Sequence, residues 1–213
     1  MYQLFYSPGS AALTPHMVLE EIGAPYKLVP VDRANNAHKS PAYLRLNPHG
    51  RVPVLVDGDL VIYETAAICM HLADRHPEAG LAPPLGTPER AHYYKWMSYL
   101  TNTLQAEALT YFYPDRLTDT AEQAAVVKRH AGRRMMEMFE TVNGAMDGVA
   151  DPYLLGDKIS AADFFLLMLA RWTRFLDRPA VAFLQVGKLL DTLATRPSVK
   201  RAFSAEQIEP PYY

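Results

Sequence analysis

Hydroxyl side chains lie where the first predicted strand meets the first predicted helix, and two of them, Tyr6 and Ser10, are candidates for chemistry. The strand "YQLFY" ends at Tyr6, and the segment "SPGSAALTPH" that follows it contains Ser10. Hydroxyl groups and the free N–H groups at a helix start can donate hydrogen bonds to an anion. The junction could therefore stabilise a negative charge. Ser10 also fits an ordinary turn beside Gly9, and Tyr6 also fits a strand side chain in the sheet.

A second pair of polar residues, Glu64 and Thr65, lies in "YETAAI", which opens a later predicted helix. The hydroxyl and backbone N–H groups at a helix N-terminus can hold a carboxylate, and a glutamate side chain can hold an ammonium group. Together they suit the head of an α-amino acid. The alternative is a simple helix cap with an acidic first turn.

The dipeptide Val52–Pro53 stands at the start of a predicted strand, where proline is tolerated. A cis bond there would turn the N–H and C=O of Val52 outward, free to pair with a peptide-like ligand laid alongside. From the local sequence alone, a trans proline is the more common state.

The stretch "NAHKSPAYLRLNPHGR" could hold a second carboxylate at the far end of such a ligand. It contains several basic side chains in a loop-rich region, and solvation alone would also account for them. They are His38, Lys39, His49 and Arg51.

The elements that position these residues follow from the hydrophobic pattern. The first eighty residues alternate as β-α-β-α-β-β-α, and the "DG" at Asp57 and Gly58 predicts a tight hairpin between the last two strands. A mixed four-stranded sheet is therefore expected. The prolines and glycine of "GLAPPLGTPER" mark a boundary, after which apolar residues recur at helical spacing. We assign residues 1–80 to an α/β domain, 81–88 to a linker and 89–213 to an all-helical domain.

Two further patterns concern the helices themselves. Ser160 and Asp163 in "GDKISAADFF" form a capping box that predicts a buried helix, so Asp163 is assigned a structural role. Thr14 and Pro15 are typical of an N-cap and a first turn. We therefore expect the first helix to begin at Pro15, which leaves Ser10 in an irregular loop.

Composition restricts the class of partner. The 213 residues carry a formal net charge of −2, so neither nucleic acid nor an anionic membrane surface is an expected partner. Cys69 is the single cysteine, which excludes an intramolecular disulfide or a metal site of several thiolates and fits a reducing cytosol. The start of the chain lacks a signal-peptide pattern, and the apolar run "FFLLMLA" is too short to span a membrane. We expect a soluble, cytoplasmic protein.

Taken together, these motifs resemble a cytosolic glutathione transferase. The order of elements, "SPG" before the first helix, "LNPHGRVPVLVDGD", "YETAAI", the proline-rich linker and "GDKISAAD" all fit, over nearly the whole chain. Within that family "SPGSAALTPH" is most similar to the bacterial beta class. The chain departs from that class in two places. Ala11 stands at the position of its cysteine, and Gln105 and Ala106 fall where it carries a His-Lys pair.

The resemblance implies a thioredoxin-like first domain that binds glutathione as co-substrate, with a cis Val52–Pro53 bond. It assigns the γ-glutamyl head to Glu64 and Thr65. It assigns the cysteinyl moiety to the Val52 backbone, and the glycyl carboxylate to Lys39 and less directly to His38 or Arg51. The resemblance also implies a homodimer, and it implies no bound metal ion.

Without the junction cysteine, Ser10 and then Tyr6 are the candidates for activating the thiol. A free thiol titrates near pH 8.5, and lowering that pKa by about two units requires roughly 2.7 kcal/mol of preference for the anion. One hydroxyl bond to a charge contributes about 1.5 to 3 kcal/mol. Cys69 falls at a buried position of a predicted helix, where a thiol is usually inert.

Aromatic side chains of the helical domain are candidates to contact the second substrate. A pocket lined by aromatic side chains suits flat, apolar electrophiles, although aromatic residues in a helical domain more often form the core. The candidates are Tyr111, Phe112, Tyr113 and Arg116 of "LTYFYPDR", with Trp172.

The leading hypothesis is a glutathione transferase that adds the glutathione thiolate to small apolar electrophiles. A glutathione-dependent peroxidase, disulfide reductase or isomerase is the second hypothesis. The third is a non-catalytic protein of the same fold that binds ligands or partner proteins.

Overall fold

The computed structural model describes residues 1–147 and 152–213. The chain forms two compact units. The first contains residues 1–82 and 194–210, and the second contains residues 83–193 and 211–213.

The first unit is built on a mixed four-stranded sheet. Its strands are β1 (Tyr2–Tyr6), β2 (Tyr26–Pro30), β3 (Val54–Asp57) and β4 (Leu60–Tyr63), in the order β2-β1-β3-β4. β1 pairs with β2 in parallel and with β3 antiparallel, and β3 pairs antiparallel with β4. Gly58 has a φ of 62°, which suits a tight turn between β3 and β4. The predicted hairpin and mixed sheet are confirmed.

Three helices accompany the sheet along the first 82 residues: α1 (Leu13–Ile22), α2 (Pro41–Leu44) and α3 (Thr65–Arg75). Short 3₁₀ turns form at Ala37–Lys39 and Pro77–Ala79. α1 packs against both β1 and α3, and its residues from Leu13 to Leu19 are all buried. This is the βαβαββα order expected of a thioredoxin-like domain, and that fold class is confirmed.

The expected start of the first helix is wrong. α1 begins at Leu13, with Ala12 at the N-cap, so Thr14 and Pro15 lie inside its first turn. The N–H of His16 bonds to the carbonyl of Ala12 at 3.1 Å, which adds a turn ahead of Pro15. Proline is well tolerated there because its missing N–H would have no partner in the first turn.

Helices form the regular structure that the second unit shows in its described residues. They are α4 (Pro88–Tyr99), α5 (Ala106–Phe112), α6 (Ala121–Ala145), α7 (Ala161–Arg171) and α8 (Leu184–Thr195). A π-helical segment, Leu100–Gln105, joins α4 to α5, and 3₁₀ turns form at Pro114–Leu117 and Ala180–Ala182. The helical class of this part of the chain is confirmed.

The predicted capping box opens α7. Asp163 is fully buried, and one carboxylate oxygen accepts from the backbone N–H of Ser160 at 2.7 Å. The other oxygen accepts from the N–H of Leu154 at 2.8 Å. These bonds satisfy donors that the helix start would otherwise bury without partners, so Asp163 has a structural role.

The last helix, α9 (Pro197–Ala205), packs against α1 and belongs to the first unit. Glu21 of α1 accepts hydrogen bonds from Arg196 and Ser198, and Glu20 accepts from Arg201. The sequence-based boundaries place this helix in the domain of residues 89–213. The predicted and observed boundaries differ because these ion pairs and the buried face of α9 pack this helix against α1.

No helix within the described ranges is long and apolar enough to cross a membrane. In residues 1–147 and 152–213, no three His, Cys, Asp or Glu side chains cluster so that they could hold a metal ion.

Candidate functional site

The junction between β1 and α1 is a tightly bonded turn. Gly9 has a φ of 65°, and the N–H of Ser10 bonds to the carbonyl of Ser7 at 3.2 Å. The carbonyl of Ser10 accepts from the N–H of Leu13 at 3.0 Å, and its Oγ accepts from the N–H of Ala12 at 3.3 Å. The backbone N–H groups of Ser10, Ala12 and Leu13 are therefore used within the chain.

The Ser10 hydroxyl retains a proton that it can donate. Its Oγ is held as an acceptor, and within the described ranges no group takes its O–H. Accepting one hydrogen bond also polarises a hydroxyl toward donating another. Ser10 is half-buried, and it sits three residues before α1 begins.

Tyr6 is the last residue of β1 and pairs with Pro30 of β2. Its side chain is half-buried, with its ring centroid 6.5 Å from that of His16. This contact gives the ring a packing role on α1, and nothing in it directs the hydroxyl toward an anion.

Glu64 and Thr65 occupy the start of α3. Glu64 is exposed, with φ 75° and ψ 118°, a conformation that non-glycine residues rarely adopt and that tends to mark functional sites. Thr65 is buried, and its Oγ1 donates to the carbonyl of Ala11 at 3.3 Å. The structure therefore brings the start of α3 next to the Ser10 junction.

The Val52–Pro53 bond is cis, as the resemblance implied. The backbone before it is held by two side chains that sequence reasoning missed. The hydroxyl of Tyr43 and the amide of Asn47 donate to the carbonyl of Arg51 at 2.9 and 2.8 Å. Asn47 is 3% exposed. In the sequence, the asparagine before the proline in "LNPHG" could have indicated a side chain that fixes this loop.

The predicted cations lie along the same loop. Lys39 lies over Gly50, where an added Cβ would be 3.2 Å from the lysine Nζ and 2.8 Å from the carbonyl oxygen of His38. Nδ1 of His38 is buried with no hydrogen-bond partner in residues 1–147 and 152–213. Burial, then the charges of Arg33 and Lys39, lower the His38 pKa.

The other two members of that loop set are exposed. The guanidinium of Arg51 has no described partner, whereas its carbonyl is fixed as stated above. The His49 ring packs edge-on against Tyr63, with ring centroids 5.7 Å apart.

Several of the aromatic candidates of the second unit contact one another. Phe112 packs edge-on against both Tyr111 and Trp172, with ring centroids 5.2 and 6.0 Å apart. The guanidinium carbon of Arg116 lies 3.9 Å from the ring centroid of Tyr113. Phe112 is 39% exposed, so the cluster reaches the surface of its unit.

A separate cavity of about 270 Å³ in the second unit contains none of these candidates. It is lined by α4 residues such as His92 and Trp96 and by Met146 and Leu154. In residues 1–147 and 152–213, none of the buried side-chain atoms without a hydrogen-bond partner belongs to a residue that lines it.

Cys69 is fully buried within α3, and this burial raises the pKa of its thiol. Its predicted inertness is supported, because a neutral thiol shielded from solvent neither attacks nor exchanges.

Comparisons with known proteins decide the family. Residues 1–74 match the model described as "Glutathione S-transferase, N-terminal domain", and residues 100–197 match the corresponding C-terminal domain. Glutathione S-transferase GstA of Escherichia coli O157:H7 is 28% identical over 97% of this chain and 100% of the relative. Glutathione S-transferase 3 of Zea mays is 30% identical over 91% of this chain and 89% of its own. The chain belongs to the glutathione S-transferase family.

Solved structures of glutathione transferases resemble this chain over nearly its whole length. A glutathione transferase homolog from Sulfitobacter with bound glutathione has a TM-score of 0.87 at 26% identity, over 96% of this chain and 98% of that one. A beta class glutathione S-transferase of Sphingomonas chungbukensis has a TM-score of 0.83 at 29% identity, over 97% and 100%. The predictions of a transferase enzyme and of bacterial beta-class resemblance are confirmed. With Ala11 after Ser10, the chain has no cysteine at the junction.

Proposed function

We propose that the first unit binds glutathione in an extended pose along the edge formed by the junction, the Arg51–Pro53 segment and the start of α3. The helix start at Thr65 and the carboxylate of Glu64 offer opposite charges suited to the γ-glutamyl head. The Thr65 hydroxyl donates to the carbonyl of Ala11. We therefore assign the binding of the γ-glutamyl carboxylate to the backbone N–H of Thr65.

The rest of the peptide fits the loop between α2 and β3. The Val52 backbone is offered to the cysteinyl moiety, and it follows a carbonyl fixed by two hydrogen bonds. Lys39, assisted by Arg51, supplies positive charge for the glycyl carboxylate, and the His38 imidazole assists by a hydrogen bond. The unpartnered Nδ1 of His38 supports this role, since a buried polar atom without a partner is unusual in a folded protein.

We further propose that Ser10 activates the glutathione sulfur. The observation that carries this assignment is its hydroxyl, which is fixed as an acceptor by Ala12 and retains its own proton. Donating that proton in a hydrogen bond to the thiolate contributes about 1.5 to 3 kcal/mol, close to the roughly 2.7 kcal/mol that a two-unit shift requires. Tyr6 remains a secondary candidate for contact with the sulfur.

The thiolate then attacks an electrophilic carbon, forming a carbon–sulfur bond as the leaving group departs or as a double bond accepts the pair. Small, flat, apolar electrophiles are the proposed second substrates, bound by the aromatic cluster of Tyr111, Phe112 and Trp172 with the Tyr113–Arg116 pair beside it. Positioning and thiolate stabilisation supply the rate. We also infer a cytoplasmic homodimer from the family.

The test is the ultraviolet thiolate titration of glutathione bound to the wild type, to Ser10→Ala and to Ser7→Ala. Ser7→Ala is the matched control, because it removes a neighbouring hydroxyl of the same turn. We expect the wild type and the control to hold the bound thiol about two units below its free pKa. Ser10→Ala should return it toward the free value and slow turnover of an aromatic electrophile about 10- to 100-fold. An unchanged titration in Ser10→Ala removes Ser10 from the mechanism.

A further inference from the structure

Two buried side chains, His16 and Glu206, contact each other beside the junction between β1 and α1. Glu206, the residue after α9, and His16 of α1 are both fully buried at the side chain, with Oε1 and Nδ1 2.8 Å apart. The second carboxylate oxygen of Glu206 accepts from the backbone N–H of Gly9 at 2.8 Å. A residue near the end of the sequence therefore fixes the backbone next to Ser10.

The far side of the imidazole is fixed as well. Nε2 of His16 lies 3.0 Å from the hydroxyl oxygen of Tyr26. That hydroxyl donates to Glu20, which Arg201 also contacts, so the tyrosine oxygen is left to accept from His16. Both imidazole nitrogens therefore have a hydrogen-bond partner.

This network reaches the Ser10 turn through Gly9. Gly9 lies between Ser7 and Ser10, which are the two ends of the turn closed by the Ser10 N–H to Ser7 carbonyl bond. Gly9 has a positive φ, a conformation that glycine adopts without steric cost, and glycine has more backbone freedom than any other residue. The bond to Glu206 supplies an anchor from outside the turn.

We propose that Glu206 is a positioning residue for the transferase reaction: held by His16, it fixes Gly9 and thereby holds the Ser10 hydroxyl where the glutathione sulfur binds. The proposal rests on the proposed function of Ser10. It assigns to the network a role in chemistry as well as in packing α9 on α1.

The test is a double-mutant cycle of Glu206→Met and Ser10→Ala. Methionine conserves volume but removes both oxygens, so it releases Gly9 without leaving a large cavity. We expect Glu206→Met to lower kcat on the order of 10- to 100-fold, the loss that a displacement of about 1 Å can cause. The Kd of glutathione should change less than about threefold, because Glu64, Thr65 and Lys39 are untouched. The pKa of the bound thiol should rise toward its free value.

In the Ser10→Ala background, Glu206→Met should cause no further loss of kcat, because the hydroxyl it positions is already gone. Glu206→Gln should recover most of kcat. Its amide can accept from Gly9 and donate to a neutral His16. Independent, multiplying losses in the two backgrounds, or a wild-type kcat and thiol pKa in Glu206→Met, would overturn the proposal.

Glu21→Gln is the matched control. Glu21 also joins α1 to the last helix, through Arg196 and Ser198, but does not contact the junction. We expect it to lower the melting temperature and leave the bound thiol pKa unchanged. An equal thiol shift in this variant would assign the Glu206 effect to general loosening of the helix pair and overturn the proposal.

Two outcomes separate this inference from the proposed function. A wild type that does not lower the pKa of bound glutathione contradicts the role of Ser10 itself. A normal Ser10→Ala loss with no Glu206 effect contradicts the positioning role alone. If Glu206→Met does not fold, Glu206→Asp enters the same cycle, because its shorter side chain keeps the charge near His16 but withdraws from Gly9.

Discussion

At the scale of single residues, Glu64 combines an unfavourable backbone with an exposed, chemically useful side chain. Its φ of 75° costs a non-glycine residue about 1–3 kcal/mol, whereas glycine adopts positive φ freely. We expect Glu64→Gly to exceed Glu64→Ala by about 1 kcal/mol in the free energy of unfolding, the reverse of the usual order inside a helix. Denaturant unfolding of the two variants measures this difference.

The same pair separates strain from binding. Both variants lack the carboxylate, so calorimetric titration should show that both bind glutathione more weakly than the wild type. If Glu64→Ala proves the more stable of the two, the conformation at this position carries no strain. If both bind glutathione as tightly as the wild type, Glu64 does not hold the γ-glutamyl head.

Local residue patterns predicted part of the candidate site. Val52–Pro53, Glu64 and Thr65 could be identified because each belongs to a short segment whose neighbours define a turn, a strand start or a helix start. The link between His16 and Glu206 could not, because the two residues are 190 positions apart and only the packing of α9 on α1 brings them together. The N–H groups of Ser10, Ala12 and Leu13, expected to be free at the junction, form bonds that depend on the exact turn.

At the scale of elements, the two helix starts show when a capping pattern can be trusted. Ser160 and Asp163 satisfy several donors at α7, and the prediction was correct. Thr14 and Pro15 matched a cap equally well in sequence, yet the Thr14 hydroxyl is buried with no partner in the described chain and α1 starts at Leu13. Packing of the buried first turn outweighed the local preference.

Asp163 gives the element-scale prediction. Asp163→Ala leaves the buried N–H groups of Leu154 and Ser160 without acceptors, and we expect the free energy of unfolding to fall by about 3 kcal/mol. Asp157→Ala, at an exposed aspartate of the same loop, should change it by less than about 0.5 kcal/mol. Equal losses in the two variants, measured by denaturant unfolding, would contradict the capping role.

The loss should also depend on pH. Burial raises the pKa of Asp163 from 3.8 to about 6, against the opposing effect of its hydrogen-bond donors. The folded chain therefore keeps this proton at pH values where the unfolded chain has released it. The stabilisation linked to the proton is complete below about pH 4 and is lost as the pH rises through about 6. The difference between wild type and Asp163→Ala should accordingly be smaller at pH 7 than at pH 4.

At the scale of the whole molecule, the chain begins and nearly ends in the same unit. The change from β/α alternation to helical spacing predicted the division near residue 82, because composition changes there. It could not predict that residues 194–210 belong to the first unit, because α9 resembles any other amphipathic helix in sequence. Its partner is specified by Arg196, Ser198 and Glu206, whose acceptors and donors lie on α1 and the junction.

The inferred homodimer is the prediction for the whole molecule. β4 forms one edge of the sheet, and Leu60 and Val61 on it are 44% and 40% exposed. Exposed apolar side chains on an edge strand are unfavourable in a monomer and are normally covered. We expect light scattering to give about twice the chain mass of 23.9 kDa, and Val61→Glu to shift it toward the monomer. Val126→Glu on α6, at a valine that is 43% exposed, is the control and should remain dimeric. A monomeric wild type contradicts the homodimer, and equal dissociation of both variants contradicts the assignment of β4 to the interface.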